Sequence, residues 1–196
     1  MKKLLKLITM LFLASAMVIS CGGGSGSDVP STNDCTETVS TLELSDGEWT
    51  VYAKQADDYI ASEMKLEATV TNGDYEFTYG EGSETADMEK IFSLMGEEMP
   101  EEAIEAFKAM SDKEKNAMLE SMGNEIPEGI KVSWDGLTVN MEGTLSAEDL
   151  RDMEGLLDTE DMPDDAVIKT NADKTKYTIS FEIGSTEVEI IAIKNN

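Results

Sequence analysis

Residues 64–79 constrain the fold more than any other stretch of this chain. Met64, Leu66, Ala68 and Val70 alternate with Lys65, Glu67, Thr69 and Thr71, and Asn72-Gly73 follows. Strict alternation marks a strand with one buried face. Asn-Gly is the pair favoured where a two-residue hairpin loop needs φ > 0 at both positions. Tyr75, Phe77 and Tyr79 then alternate on the return strand. A loop of this length pairs Val70 with Tyr75, Ala68 with Phe77 and Leu66 with Tyr79, which puts every apolar side chain on one face. Pattern and turn agree independently, as they should in a sequence that specifies one register.

Two more hairpins satisfy the same test. Around Asp135-Gly136, Trp134 pairs with Leu137, Val132 with Val139 and Ile130 with Met141. Around Gly184-Ser185, a Gly-X loop, Phe181 pairs with Val188, Ile179 with Ile190 and Tyr177 with Ala192. A looser turn at 171–174 joins strands at 166–170 and 175–183. Trp49, Val51 and Ala53 give one more alternating face. These make about eight strands, mostly joined by hairpins and therefore antiparallel.

Two helical insertions interrupt them. In residues 85–122, Met88, Ile91, Phe92, Met95 and Met99 follow helical spacing, and Gly96 and Pro100 mark a break. Ile104 and Phe107 give the stripe of a second helix. Ser111 with Glu114 forms a capping box opening a third, striped by Met118, Leu119 and Met122 and closed by Gly123. The second insertion opens at Ser146 with Asp149 and continues through Leu150, Met153, Leu156 and Leu157. Each insertion ends in acid-Met-Pro-acid-acid-Ala, at 98–103 and 161–166, a faint internal likeness. The expected class is α+β: mainly antiparallel β, barrel-like or strongly curved, with two helical insertions.

The N-terminus carries an address. Lys2, Lys3 and Lys6 precede an apolar run at 7–18 and the small residue Ser20, the layout of a secretory signal peptide. The run is too short to span a bilayer as a helix. Val18-Ile19-Ser20-Cys21 resembles the lipobox of bacterial lipoproteins. The resemblance implies that residues 1–20 are removed, that Cys21 is acylated as the mature N-terminus, and that the lipid holds the protein to a membrane of the cell envelope. Gly22-Gly23-Gly24-Ser25-Gly26-Ser27 begins a flexible tether, expected over 21–39. Residues 40–196 then form one folded domain, large enough for one core.

Charge and composition exclude several functions. Losing three lysines with the signal peptide takes the basic count from 15 to 12 against 41 acids, a net charge of −29. Such a surface repels nucleic-acid phosphates, whose binding needs clustered Lys and Arg. The chain has no histidine, so a Ser-His-Asp triad and imidazole metal ligands are excluded. Cys35 is left as an idle tether thiol with no partner in the mature chain. The acids Asp158, Glu160, Asp161, Asp164 and Asp165 lack the spacing of a calcium loop and are interrupted by Pro163, so they read as a solvated loop. No cofactor or metal is expected.

Gly47-Glu48-Trp49 resembles the Gly-x-Trp start of lipocalin-like proteins. That resemblance implies a tryptophan closing one end of an eight-stranded barrel able to hold an apolar ligand. The helical insertion after Tyr79 departs from the family pattern. Of 13 methionines, six lie in the first insertion, where thioethers pack adaptably in cores and against apolar partners; copper binding is the weaker alternative. The expected function is therefore a non-enzymatic lipoprotein that binds an apolar small ligand or an envelope protein between sheet and helices. Trp49, Leu66, Phe77, Trp134 and Val139 face inward, with Met95, Met99 and Met118 as the adaptable wall. The alternatives are a structural or antigenic surface lipoprotein without a ligand, favoured by a solid core, and a carboxylate-based hydrolase, favoured by a buried acid pair in a cleft.

Overall fold

The computed structural model describes residues 30–94, 100–121, 130–153, 155–158 and 162–195. Its elements in chain order are β1 (Glu37–Val39), β2 (Gly47–Ala56), β3 (Ile60–Thr71), β4 (Asp74–Asp87), α1 (Met88–Leu94), α2 (Glu101–Ala109), α3 (Asp112–Ser121), β5 (Ile130–Asp135), β6 (Thr138–Thr144), α4 (Ala147–Asp152), β7 (Val167–Thr170), β8 (Lys176–Ile183) and β9 (Thr186–Lys194). The mainly antiparallel class with helical insertions holds. The barrel does not: nine strands form one open sheet in the order β1-β7-β8-β9-β2-β3-β4-β6-β5. The long helical connection after β4 frees the β5–β6 hairpin to dock by its second strand. β6, not β5, therefore pairs with β4, and β5 becomes an edge.

The ninth strand lies where the tether was expected. Glu37, Thr38 and Val39 pair with Thr170, Lys169 and Ile168 of β7. Lys176 Nζ meets the Asp34 carboxylate at 2.9 Å and donates to Ser31 O at 2.9 Å, holding the segment before β1 against the sheet. Cys35 is consequently not a tether thiol: it is buried, and burial foremost, then the charge of Asp34, pushes its pKa up.

The β8–β9 register is as predicted, with Phe181 opposite Val188, Ile179 opposite Ile190 and Tyr177 opposite Ala192. In the β5–β6 hairpin the loop is Gly136-Leu137, so Trp134 faces Val139 and Val132 faces Met141. Only Gly136 takes a positive φ there, of 61°, while Asp135 stays in the strand. In the β3–β4 hairpin, Asn72 and Gly73 both adopt positive φ, and Val70–Tyr75 and Ala68–Phe77 pair as predicted. Beyond them Thr78 is an extra residue: Leu66 faces Gly80, and Tyr79 turns to the other face, 43 % exposed. A β-bulge of this kind reverses the facing of everything that follows it on the strand.

The bulge has a packing cause. A Cβ on Gly80 would come within 2.8 Å of Leu145, 2.9 Å of Leu150 and 2.9 Å of Leu66. Only a glycine lets the second insertion lie this close to β4. Ser146 opens α4 with a complete capping box to Asp149, and Leu150, Met153, Leu156 and Leu157 are all buried against the sheet. The Tyr75 hydroxyl oxygen accepts the N–H groups of Gly155 (2.8 Å) and Leu157 (3.1 Å), fixing the segment after α4. β4 also runs to Asp87, past the expected helix start at Thr85.

Candidate functional site

Register places the sheet residues of both core clusters on one face, here called the inner face, while Ile191 is buried on the other. The larger cluster joins Trp49, Val51, Leu66, Ala68, Phe77, Tyr177 and Ile179 to the second insertion. The smaller joins Ala86, Met88, Leu119, Val139 and Met141, with Ile91 and Trp134 packed on it, at the end covered by the first insertion. Trp49 is wholly buried, donates Nε1–H to Ser45 O at 2.9 Å and lies 6.1 Å from the Tyr177 ring. It opens β2 as the Gly-Glu-Trp motif suggests, in an open sheet rather than at a barrel end.

The predicted ligand-lining residues are therefore divided. Trp49, Leu66 and Phe77 belong to the larger cluster, and Val139 and the half-buried Trp134 to the smaller. Met118 points outward, 37 % exposed. Met95, Met99 and Cys21 lie outside the described residues. On α3 the inward positions are Lys115 and Leu119 instead of Met118. Lys115 is 3 % exposed, yet satisfied: Nζ donates to Gly136 O at 3.1 Å and sits 5.4 Å from the Phe107 ring centre and 5.5 Å from that of Trp134. Trp134 Nε1–H donates to Asn116 Oδ1 at 2.8 Å. This cation–π clasp, of about 0.5–2 kcal/mol, pins the first insertion to the edge hairpin.

Between the clusters the inner face turns polar. Ladder pairing sets Gln55 opposite Ser62 and Ser62 opposite Glu84, with Met141 beyond. Gln55 is 4 % exposed and Glu84 2 %. Neither carboxyl oxygen of Glu84 has a hydrogen-bond partner. Burial foremost, then the negative charge of Asp57, pushes the Glu84 pKa up to about 9. The group is accordingly a neutral acid at pH 7. Asp57 itself is engaged by its turn: Oδ1 accepts the N–H groups of Tyr59 (2.9 Å) and Ile60 (2.8 Å), and Oδ2 accepts the Thr186 hydroxyl at 3.3 Å. Beside Glu84 on the same face, Gly82 and Gly143 pair directly, both half-buried.

The chain matches no family model, no curated protein and no solved structure. Function must be argued from the site itself.

A cleft of about 700 Å³ is lined mostly by residues whose side chains the register puts on the outer face, among them Lys54, Ser180, Glu182, Glu187 and Glu189. Gln55, Phe181 and Val188, whose side chains are buried on the inner face, also border it. It meets none of the predicted ligand residues. It does meet Gln55, the first member of the row that ends on Glu84. No helix among the described residues is long and apolar enough to cross a membrane.

Sequence reasoning missed Glu84 for one reason. Without the Thr78 bulge, alternation places residue 84 on the outer face, where an acid is unremarked. The residues that impose the bulge, Leu145 and Leu150, lie some 65 positions away in sequence, and no local pattern reveals them.

Proposed function

We propose that this chain is an acylated lipoprotein of the bacterial cell envelope, held to a membrane by lipid on Cys21, that binds a small ligand with an apolar body in the layer between sheet and helical insertions. The observation that supports binding is Glu84. A carboxyl left without any partner, 2 % exposed and lying between two apolar clusters, is a directed polar group awaiting a complement. Stability alone does not call for it, because an apolar residue at that position would avoid the desolvation penalty.

The same geometry favours binding over hydrolysis. A two-carboxylate hydrolase needs both acids open to substrate and water. Asp57 is spent on its turn and on Thr186, so it is not free to act as the second acid beside Glu84. The reading as a structural surface lipoprotein draws its support from the complete burial of Trp49 and Leu66, which are packed core.

A full-length Cys21→Ser chain, free of detergent, tests the binding reading. A neutral apolar fluorescent probe should bind saturably and quench tryptophan emission, because the half-buried Trp134 borders the smaller cluster. Binding should change little between low and high salt, since apolar burial drives it. No saturable binding would move the surface-lipoprotein reading to first place.

A further inference from the structure

We propose that the ligand carries an ammonium group and that Glu84, at the end of the row Gln55–Ser62–Glu84, is its anchor. This inference rests on the binding reading above and names the chemistry of the same site.

The argument is one of complementarity. The two Glu84 oxygens can accept several hydrogen bonds and receive none. The ladder neighbours of Glu84 are neutral, Ser62 from β3 and Met141 from β6. The charged group acting on Glu84 is Asp57, which is negative. Among the described residues the nearby lysines are engaged elsewhere: Lys54 with Glu63 at 2.6 Å, Lys90 with Asp58 O at 2.7 Å, and Lys115 with Gly136 O at 3.1 Å. What the site lacks is a cation, and three N–H donors of an ammonium match a bare carboxylate.

Access and steering point the same way. Ser62, next to Glu84 in the row, is half-buried, so the approach to Glu84 runs along the inner face. The net negative charge of the chain attracts cations. Gly82 and Gly143, the half-buried pair beside Glu84, contribute no side chain of their own. A short alkylammonium suits the acid and the apolar clusters on either side of it. An anionic amphiphile such as a fatty acid is disfavoured by the same charge.

Binding is an ion exchange at one atom pair. Glu84 releases its proton to solvent, and the ammonium takes that proton's place without forming a covalent bond. The affinity should therefore rise about tenfold per pH unit below the Glu84 midpoint.

The test uses the acylated full chain in a neutral detergent, with n-butylammonium and the uncharged n-butanol as water-soluble probes, followed by backbone amide NMR. The expected result is saturable shifts at Ser62, Glu84 and Met141 with n-butylammonium, tightening as pH rises from about 6 to 8. Affinity should fall at least tenfold in Glu84→Gln, an isosteric change whose folding is checked by circular dichroism. If n-butanol binds as well as n-butylammonium, with no pH dependence and no loss in Glu84→Gln, the ammonium inference is overturned and the binding reading stands. If neither probe shifts these residues, both fall. The pH dependence in the unmutated chain keeps the inference testable even if the variant misfolds.

Discussion

At the residue scale two positions carry the account. Glu84 is a carboxyl whose folded-state pKa, about 9, lies well above the ordinary glutamate value of 4.5. The folded protein therefore holds a proton that the unfolded chain has released. Stability from this group is fully present below about pH 4.5 and is lost as pH climbs towards 9, at about 1.4 kcal/mol per unit. By pH 7 the loss amounts to about 3 kcal/mol. Glu84→Gln cannot ionise, so the variant should be more stable than the native chain at pH 8 and lose the advantage near pH 4. Urea unfolding at both pH values checks this, and an unchanged difference between them would contradict the buried, unpaired acid. Gly80 is the second position. Gly80→Ala drives a methyl into Leu145, Leu150 and Leu66 and should destabilise by about 1–3 kcal/mol through overpacking. A neutral effect would mean that the second insertion does not seat on β4.

At the element scale the hairpins show what a sequence can and cannot specify. Alternation and turn residues made the β3–β4 and β8–β9 hairpins legible, because both signals are local and both are needed for one register. The β5–β6 loop slipped by one residue on each side: Gly136 supplies the positive φ that a Gly-X loop needs first, which frees Asp135 to remain in the strand. The sum of paired residue numbers changed by two, so every side chain kept its face. At Thr78 the sum changed by one, and every later side chain on β4 changed face. That one step separates an unremarkable surface glutamate from a buried acid. Gly73→Val and Gly136→Val should each destabilise by roughly 1 kcal/mol or more, since β-branched residues are strained at φ of 89° and 61°. Thermal melts measure this. Lys115 was illegible for another reason: an isolated lysine on a helix is ordinarily solvated, and only tertiary packing supplies Gly136 O and two rings. Lys115→Met keeps the apolar stem and loses the cation, so it should cost about 1–2 kcal/mol and shift Trp134 emission.

At the scale of the whole molecule the design is one-sided. A single open sheet sends both core clusters to one face, and two insertions cover that face from its two ends, leaving a polar row between them. A barrel was the natural expectation from eight alternating strands, because closure removes edges. The long connection after β4 allowed the β5–β6 hairpin to dock in reverse order, and strand count alone does not reveal docking order. Attachment is independent of this architecture. If Cys21 carries the lipid, Cys21→Ser should move the protein from the detergent phase to the aqueous phase in partitioning; unchanged partitioning would refute the anchor.

All of these scales converge on one carboxyl group, and its ionisation is directly observable. Glutamate side-chain carboxyls labelled with ¹³C can be followed by NMR in the ligand-free chain from about pH 3 to pH 10, with Glu84→Gln assigning the resonance. Glu84 should remain protonated through neutral pH and titrate at about 9, apart from the surface carboxylates. A Glu84 midpoint near 4.5 would contradict the buried, unpartnered acid on which the proposed site depends.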